Sequence, residues 1–259
     1  MPIDESTQTN GVPEPQAGLL TRSESYKRDW TVESVLATIP HGYEENSPSP
    51  LGFFHLLERL KTTKRAGWLR FGIEHPESIS DHMYRMSILT MMAPASLSSK
   101  LDLAKCTRMA LVHDMAESLV GDITPVDPVT KEEKSRREAL TMDYIGQTLL
   151  GKYNGGLNGP QLRDLWQEYE DSKTEESKFV HDIDKVELLL QTVEYERAHK
   201  GKVDLGEFTW VTTMIKSDEV KKWAEHVLWE RHELWQELGI EPQWDKDSLV
   251  KPKSKPAPW

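Results

Sequence analysis

The chain has 259 residues, one cysteine and a formal net charge of −11, which allows one domain with tails and excludes a protein whose main partner is a nucleic acid polymer, since that needs a basic face. A lone cysteine forms no internal disulfide, which suits a reducing compartment such as the cytoplasm, with the nucleus also open. No apolar run approaches the ~20 residues that span a bilayer, so no membrane partner is expected.

Residues 1 to 28 are polar, aperiodic and rich in Ser, Thr, Pro and Glu. They read as disordered, and they lack the basic and apolar regions of a signal peptide. Trp30, Val32, Val35, Leu36 and Ile39 predict a short helix within residues 29–39, and 41–50 reads as a linker. Phe53 to Leu60 predicts an amphipathic helix, and residues 64–78, with two Gly and one Pro, a long loop. Ser80 is a candidate N-cap for a helix through Met92, stopped by Pro94. Asp102 can cap a helix running to Leu119 with Gly121 as its stop. Cys106 falls inside that apolar stretch and reads as a small core residue. Lys131 to Leu149 predicts a charged helix, and Pro160 opens another. Phe179 to Val193 and Val220 to Trp235 predict two more. The Lys- and Pro-rich C-terminus reads as a loose tail. No strand-like alternation appears. The expectation is an all-α fold: an N-terminal tail, short helix and linker over 1–48, a helical domain over 49–245 and a C-terminal tail over 246–259.

The chemistry concentrates in Leu111-Val112-His113-Asp114-Met115-Ala116-Glu117. An imidazole and two carboxylates on one apolar helix are expensive to bury without compensation. A divalent cation would supply it, and mixed His nitrogen and carboxylate oxygen suits first-row metals, with Mg²⁺ also open. An isolated His-Asp pair is more often a satisfied core His beside a surface acid. This pair is not isolated. Ser80-Asp81-His82 lies upstream, and His181-Asp182-Ile183-Asp184-Lys185 lies downstream amid apolar residues. Asp182 and Asp184 point about 200° apart on a helix, so only one can face a shared site; by itself, either could instead pair with a neighbouring lysine.

The order His, His-Asp, Asp on successive helices resembles the HD-domain metal phosphohydrolase superfamily. Longer strings go further: Arg65-Ala66-Gly67-Trp68, Pro76 to Met86, Leu111 to Glu117, Val120-Gly121-Asp122-Ile123, Lys131 to Lys134 and Arg136-Arg137-Glu138. Over roughly residues 50 to 197 they resemble the eukaryotic HD domain-containing protein 2 group, which is similar to bacterial 5'-deoxynucleotidases. The resemblance implies an HD-domain helical bundle that hydrolyses deoxyribonucleoside 5'-monophosphates to deoxynucleoside and phosphate, commonly as a homodimer. It implies His82, His113, Asp114 and Asp184 as metal ligands, selecting Asp184 over Asp182. Glu117 and Asp122, with the Ile123 carbonyl, stand where some relatives bind a second ion; Glu117 and Asp122 are also the candidate catalytic acids. Mn²⁺, Co²⁺ or Mg²⁺ would be the cofactor. The bacterial enzymes carry Arg directly before Trp, whereas Gly67 precedes Trp68 here, so Arg65 or Arg70 is left to reach the phosphate. Trp68 would pack on base or sugar, or anchor its loop in the core.

Alternative chemistries on the same fold are a cyclic-nucleotide phosphodiesterase, a triphosphohydrolase or a non-catalytic nucleotide-binding regulator. His232-Glu233 lacks the second His of a zincin. The runs Lys131–Lys134 and Glu168–Glu176 read as solvated helix faces.

Overall fold

The structure is a computed structural model that describes residues 30–242 and 254–256. The expected N-terminal disorder, and most of the expected C-terminal tail, lie outside the described residues. Two units are distinguished, one ending at Gly42 and one beginning at Tyr43. Within the first, helix α1 (Val32–Leu36) starts at Thr31, whose hydroxyl accepts from Ser34 N in a capping box.

The second unit is all-α among the described residues, as expected. Its helices are α2 (Leu51–Leu56), α3 (Glu58–Thr62), α4 (Ala66–Arg70), α5 (Ile79–Met91), α6 (Ala95–Ser98), α7 (Leu103–Ala110) and α8 (Glu117–Val120). They continue with α9 (Lys131–Asp143), α10 (Asn158–Asp171), α11 (Glu175–Ala198) and α12 (Asp218–Leu238). A π-helical turn, Tyr144–Leu149, extends α9, and a 3₁₀ segment, Gly206–Met214, leads into α12. Gly159 packs so closely on that π turn that a Cβ there would lie 2.2 Å from the Gly146 carbonyl oxygen.

Helix α11 is the central element, packing against α5, α7 and α12. Its inner face carries Val180, Ile183 and Val186, which meet Met86 of α5, Met109 of α7 and Val220, Ala224 and Leu228 of α12. Each fully buried aliphatic side chain of this kind contributes roughly 1.5–3 kcal/mol. Cys106 is part of this core, as expected, and burial pushes its thiol up to about 12, so it is not a nucleophile.

Four local expectations change. The 53–60 helix is broken at Leu57 into α2 and α3. The 64–78 loop contains α4, and it closes through Arg65 N to Glu77 O and Ile79 N to Thr63 O, both 3.1 Å. The cap of α5 is Ser78 rather than Ser80: Ser78 Oγ accepts from Asp81 N while Asp81 returns a bond to Ser78 N. The helix opened by Asp102 does not run to Leu119. It stops at Ala110 and passes through turns to α8, where i to i+3 bonds such as Met115 N to Val112 O replace the helical ladder. Apolar periodicity continues through that break, which is why the pattern did not show it. Gly121 does end α8, at φ +79°, a conformation that favours glycine.

Candidate active site

The break in the helix falls at His113 and Asp114. His113 Nδ1 donates to the Ala110 carbonyl at 2.9 Å. A carbonyl only accepts, so this bond leaves the Nε2 lone pair free to face inward. His82, one turn into α5, is fully buried, and Asp184 projects from the middle of α11. The three meet. His82 Nε2 lies 3.3 Å from Asp184 Oδ1 and 3.8 Å from Asp114 Oδ2, and His113 Nε2 lies 3.2 Å from Asp114 Oδ2. Ligand atoms of His82, His113 and Asp184 all fall within 4.8 Å of one another.

Asp182 is elsewhere. It accepts from the backbone N–H of Lys216 and Ser217 at the start of α12. The two carboxylates diverge as a helix requires.

Glu117 begins α8 and Asp122 follows Gly121; both border the cluster. Asp122 Oδ2 accepts from Ala66 N at 2.5 Å, and Ile123 is buried beside it in sequence. Arg65 directs its guanidinium between Asp114 and Asp122, at 3.4 and 3.6 Å. Arg70 is engaged outside the cluster, paired with Glu207 and stacked on Phe71. Trp68 is 1% exposed, its indole N–H donates to Glu77 and its ring packs on Tyr195 and Phe208. It therefore anchors its loop, and no open ring face remains for a base or sugar.

Lys134 corrects another expectation. It is not on a solvated face: its ammonium reaches Glu117 at 3.6 Å and Glu138 at 3.5 Å. Tyr169 was also missed; it stacks between His113 and His181.

The electrostatics are unbalanced. Burial resists ionisation of Asp184, yet the hydrogen bond and charge of His82, then His113 and Arg65, hold it well below the usual carboxylate range. Burial, reinforced by Asp114 and Asp122, pushes Glu117 well above it. Burial and Arg65 oppose a charged His82, but Glu187 and Asp184 overcome them and raise it to about 10. His82 Nε2 and Glu117 Oε2 are buried without an aligned hydrogen-bond partner. Orphaned donor atoms of this kind are rare in folded proteins unless something binds them. Two imidazoles, flanking carboxylates and an Nε2 without an aligned hydrogen bond fit a divalent cation, which His82, His113 and Asp184 would hold.

Comparison with known proteins agrees with this geometry. A family model described as HD domain matches residues 57–223. A 5'-deoxynucleotidase of Schizosaccharomyces pombe is 49% identical over 189 residues, covering 73% of this chain and 93% of that protein. A human 5'-deoxynucleotidase is 44% identical over 148 residues, covering 57% of this chain and 69% of its own. Among solved structures, HD domain-containing protein YGK1 aligns with a TM-score of 0.57 at 35% identity, covering 79% of this chain and 95% of the other.

Proposed function

Because the chain belongs to the HD-domain family, we infer from its relatives and its site that it is a 5'-deoxynucleotidase, a phosphoric monoester hydrolase that cleaves deoxyribonucleoside 5'-monophosphates to deoxynucleoside and phosphate. The observation that carries the metal-dependent reading is the convergence of His82, His113 and Asp184 within 4.8 Å around a buried Nε2 that lacks an aligned hydrogen bond.

His82, His113, Asp114 and Asp184 hold the cation in this reading. The cation supplies Lewis acidity toward the attacking water and a phosphoryl oxygen. Two imidazole donors favour Mn²⁺ or Co²⁺ over Mg²⁺. Arg65, rather than Arg70, binds phosphate oxygens, since its planar fork already points into the cluster. Glu117 holds a proton, being buried among Asp114 and Asp122, and can deliver it to the departing 5'-oxygen. Lys134 steadies its other oxygen. Asp122 orders the Arg65 loop through Ala66 N; the alternative role for Glu117, ionised, is to form a second cation position with Asp122 and the Ile123 carbonyl.

The protein also reads as a homodimer. Helix α5 and its C-cap expose Tyr84, Ile88, Met91 and Met92. A dimeric mass by light scattering at micromolar concentration is expected; a monomer removes this part. No helix among the described residues is long and apolar enough to cross a membrane.

Phosphate release from a panel of mono-, cyclic and triphosphates, with elemental analysis of the purified protein, tests the reading. Release confined to deoxynucleoside monophosphates, lost on chelation and restored by Mn²⁺ or Co²⁺, is expected. Full activity after exhaustive chelation with no metal found, or turnover only of cyclic or triphosphate substrates, refutes it.

A further inference from the structure

We propose that Glu187, clamped by Arg85, is the positioning residue that makes His82 a metal ligand, by keeping the imidazole proton on Nδ1 and fixing the ring so that Nε2 faces Asp184 and Asp114. The inference rests on the reading of His82 as a ligand.

Glu187 Oε2 lies 2.6 Å from His82 Nδ1, and both side chains are fully buried. A carboxylate facing Nδ1 accepts its proton in a hydrogen bond and so selects the tautomer with a free Nε2 lone pair. The other oxygen of Glu187 accepts from Arg85 Nε at 2.7 Å. Arg85 is itself held, donating to Glu194 at 2.6 Å and Gln191 at 2.8 Å. The arrangement repeats on two helices. On α5, Arg85 follows His82 by three positions; on α11, Glu187 follows Asp184 by three. Residues three apart share a helix face, so each helix offers a ligand toward the cluster and a support just beside it.

A competing reading is that Glu77, His82 and Glu187, whose donor atoms also converge, hold a cation of their own. The hydrogen bonds argue against it. Glu77 accepts from the Trp68 indole, Glu187 from Arg85, and Nδ1 is already at hydrogen-bonding distance from Glu187. This side of the imidazole is satisfied by the protein; the Nε2 side is not. Sequence alone does not link the pair: Arg85 and Glu187 lie 102 positions apart, and only the packing of α5 on α11 joins them.

The test measures binding of Mn²⁺ and Co²⁺ by calorimetry on chelator-stripped protein. Glu187→Ala is expected to weaken binding roughly 10–100-fold. Glu187→Gln, which keeps an acceptor without the charge, should fall between it and the wild type. Glu187→Met with Arg85→Met removes both charges of the pair together, so the test survives if an unpaired, part-buried Arg85 prevents folding. Turnover lost in these variants should return as metal is raised. In Zn²⁺-loaded wild type, ¹⁵N spectra should show a His82 Nδ1–H that is lost in the double variant. A lowered melting temperature with metal Kd within twofold of wild type, in the folded double variant, overturns the proposal and makes Glu187 merely structural. A protonated Nε2 in the Zn²⁺-loaded wild type overturns it too. If instead His82→Ala binds metal as tightly as wild type, the underlying ligand assignment has failed, and this inference fails with it.

Discussion

Helix α11 carries two buried polar clusters, and they are built on opposite principles. Near its middle, Asp184 joins His82, His113 and Asp114. Near its end, Glu196 is fully buried and accepts at both oxygens: Arg231 Nη2 and Leu205 N on Oε1, Arg231 Nε and the Trp235 indole on Oε2. Arg231 also donates to Asp204. Both oxygens of that carboxylate are saturated, each accepting two hydrogen bonds. Around Asp184, carboxylates crowd together, His82 Nε2 and Glu117 Oε2 lack aligned partners, and a buried imidazole is pressed toward its charged form. Burial and polarity alone do not separate a site from a structural network. Saturation of the carboxylate does: both Glu196 oxygens are filled by protein donors, whereas Glu117 Oε2 and His82 Nε2 beside Asp184 lack aligned ones.

Asp114→Asn gives the sharpest break. It removes a ligand and part of the surplus charge together. Bound metal and phosphate release should both fall to background, while the metal-stripped protein melts no lower than stripped wild type. A variant that keeps its metal, or that unfolds like a core mutant, would place Asp114 with the saturated kind of cluster. Glu117→Gln should come next. It removes the proton donor and leaves the first cation in place, so kcat should drop about 10²–10⁴-fold with metal content unchanged by elemental analysis. An unchanged kcat refutes the acid role; lost metal makes Glu117 a ligand of the first ion.

Glu196→Ala should behave in the reverse sense. It leaves Arg231 with Asp204 as its remaining carboxylate, and breaking a buried pair from one side costs up to about 3–5 kcal/mol. Denaturant unfolding should show that loss, and the folded fraction should keep wild-type metal affinity. Loss of metal affinity in folded protein would show the two ends of α11 to be coupled.

What the sequence made legible follows the same division. His82, His113, Asp114 and Asp184 stood out because charged groups in apolar runs are anomalous one residue at a time, and the recurring order linked them. The helical fold was legible because apolar spacing is local. The break at residues 111–116 was not, since the same apolar residues serve a helix or a succession of turns. Lys134 looked like part of a charged surface, and only packing of α9 beside α8 brings it to Glu117. Arg231 and Glu196 lie 35 positions apart, with no spacing to connect them. Trp68 fitted two roles, and its burial under Tyr195 and Phe208 leaves the anchor.

The smallest effect concerns the two aspartates that the sequence placed in rivalry. Asp184→Ala should lose metal and rate as Asp114→Asn does. Asp182→Ala should lose neither, because its carboxylate points away from the cluster and accepts from Lys216 N and Ser217 N just before α12. Those two amides lie just before α12, whose own cap is the Ser217 hydroxyl, and the Asp182 carboxylate that accepts from them is buried. Loss of such hydrogen bonds costs about 0.5–1.5 kcal/mol each. The expected phenotype is therefore a modest fall in the denaturation midpoint with metal Kd and kcat at wild-type values. Asp182→Asn, which still accepts through its amide oxygen, should recover part of the stability. Circular dichroism on each variant separates misfolding from a true change at the site. If folded Asp182→Ala loses its metal while Asp184→Ala keeps it, the register of α11 against α5 is wrong, and the ligand assignment on α11 falls with it.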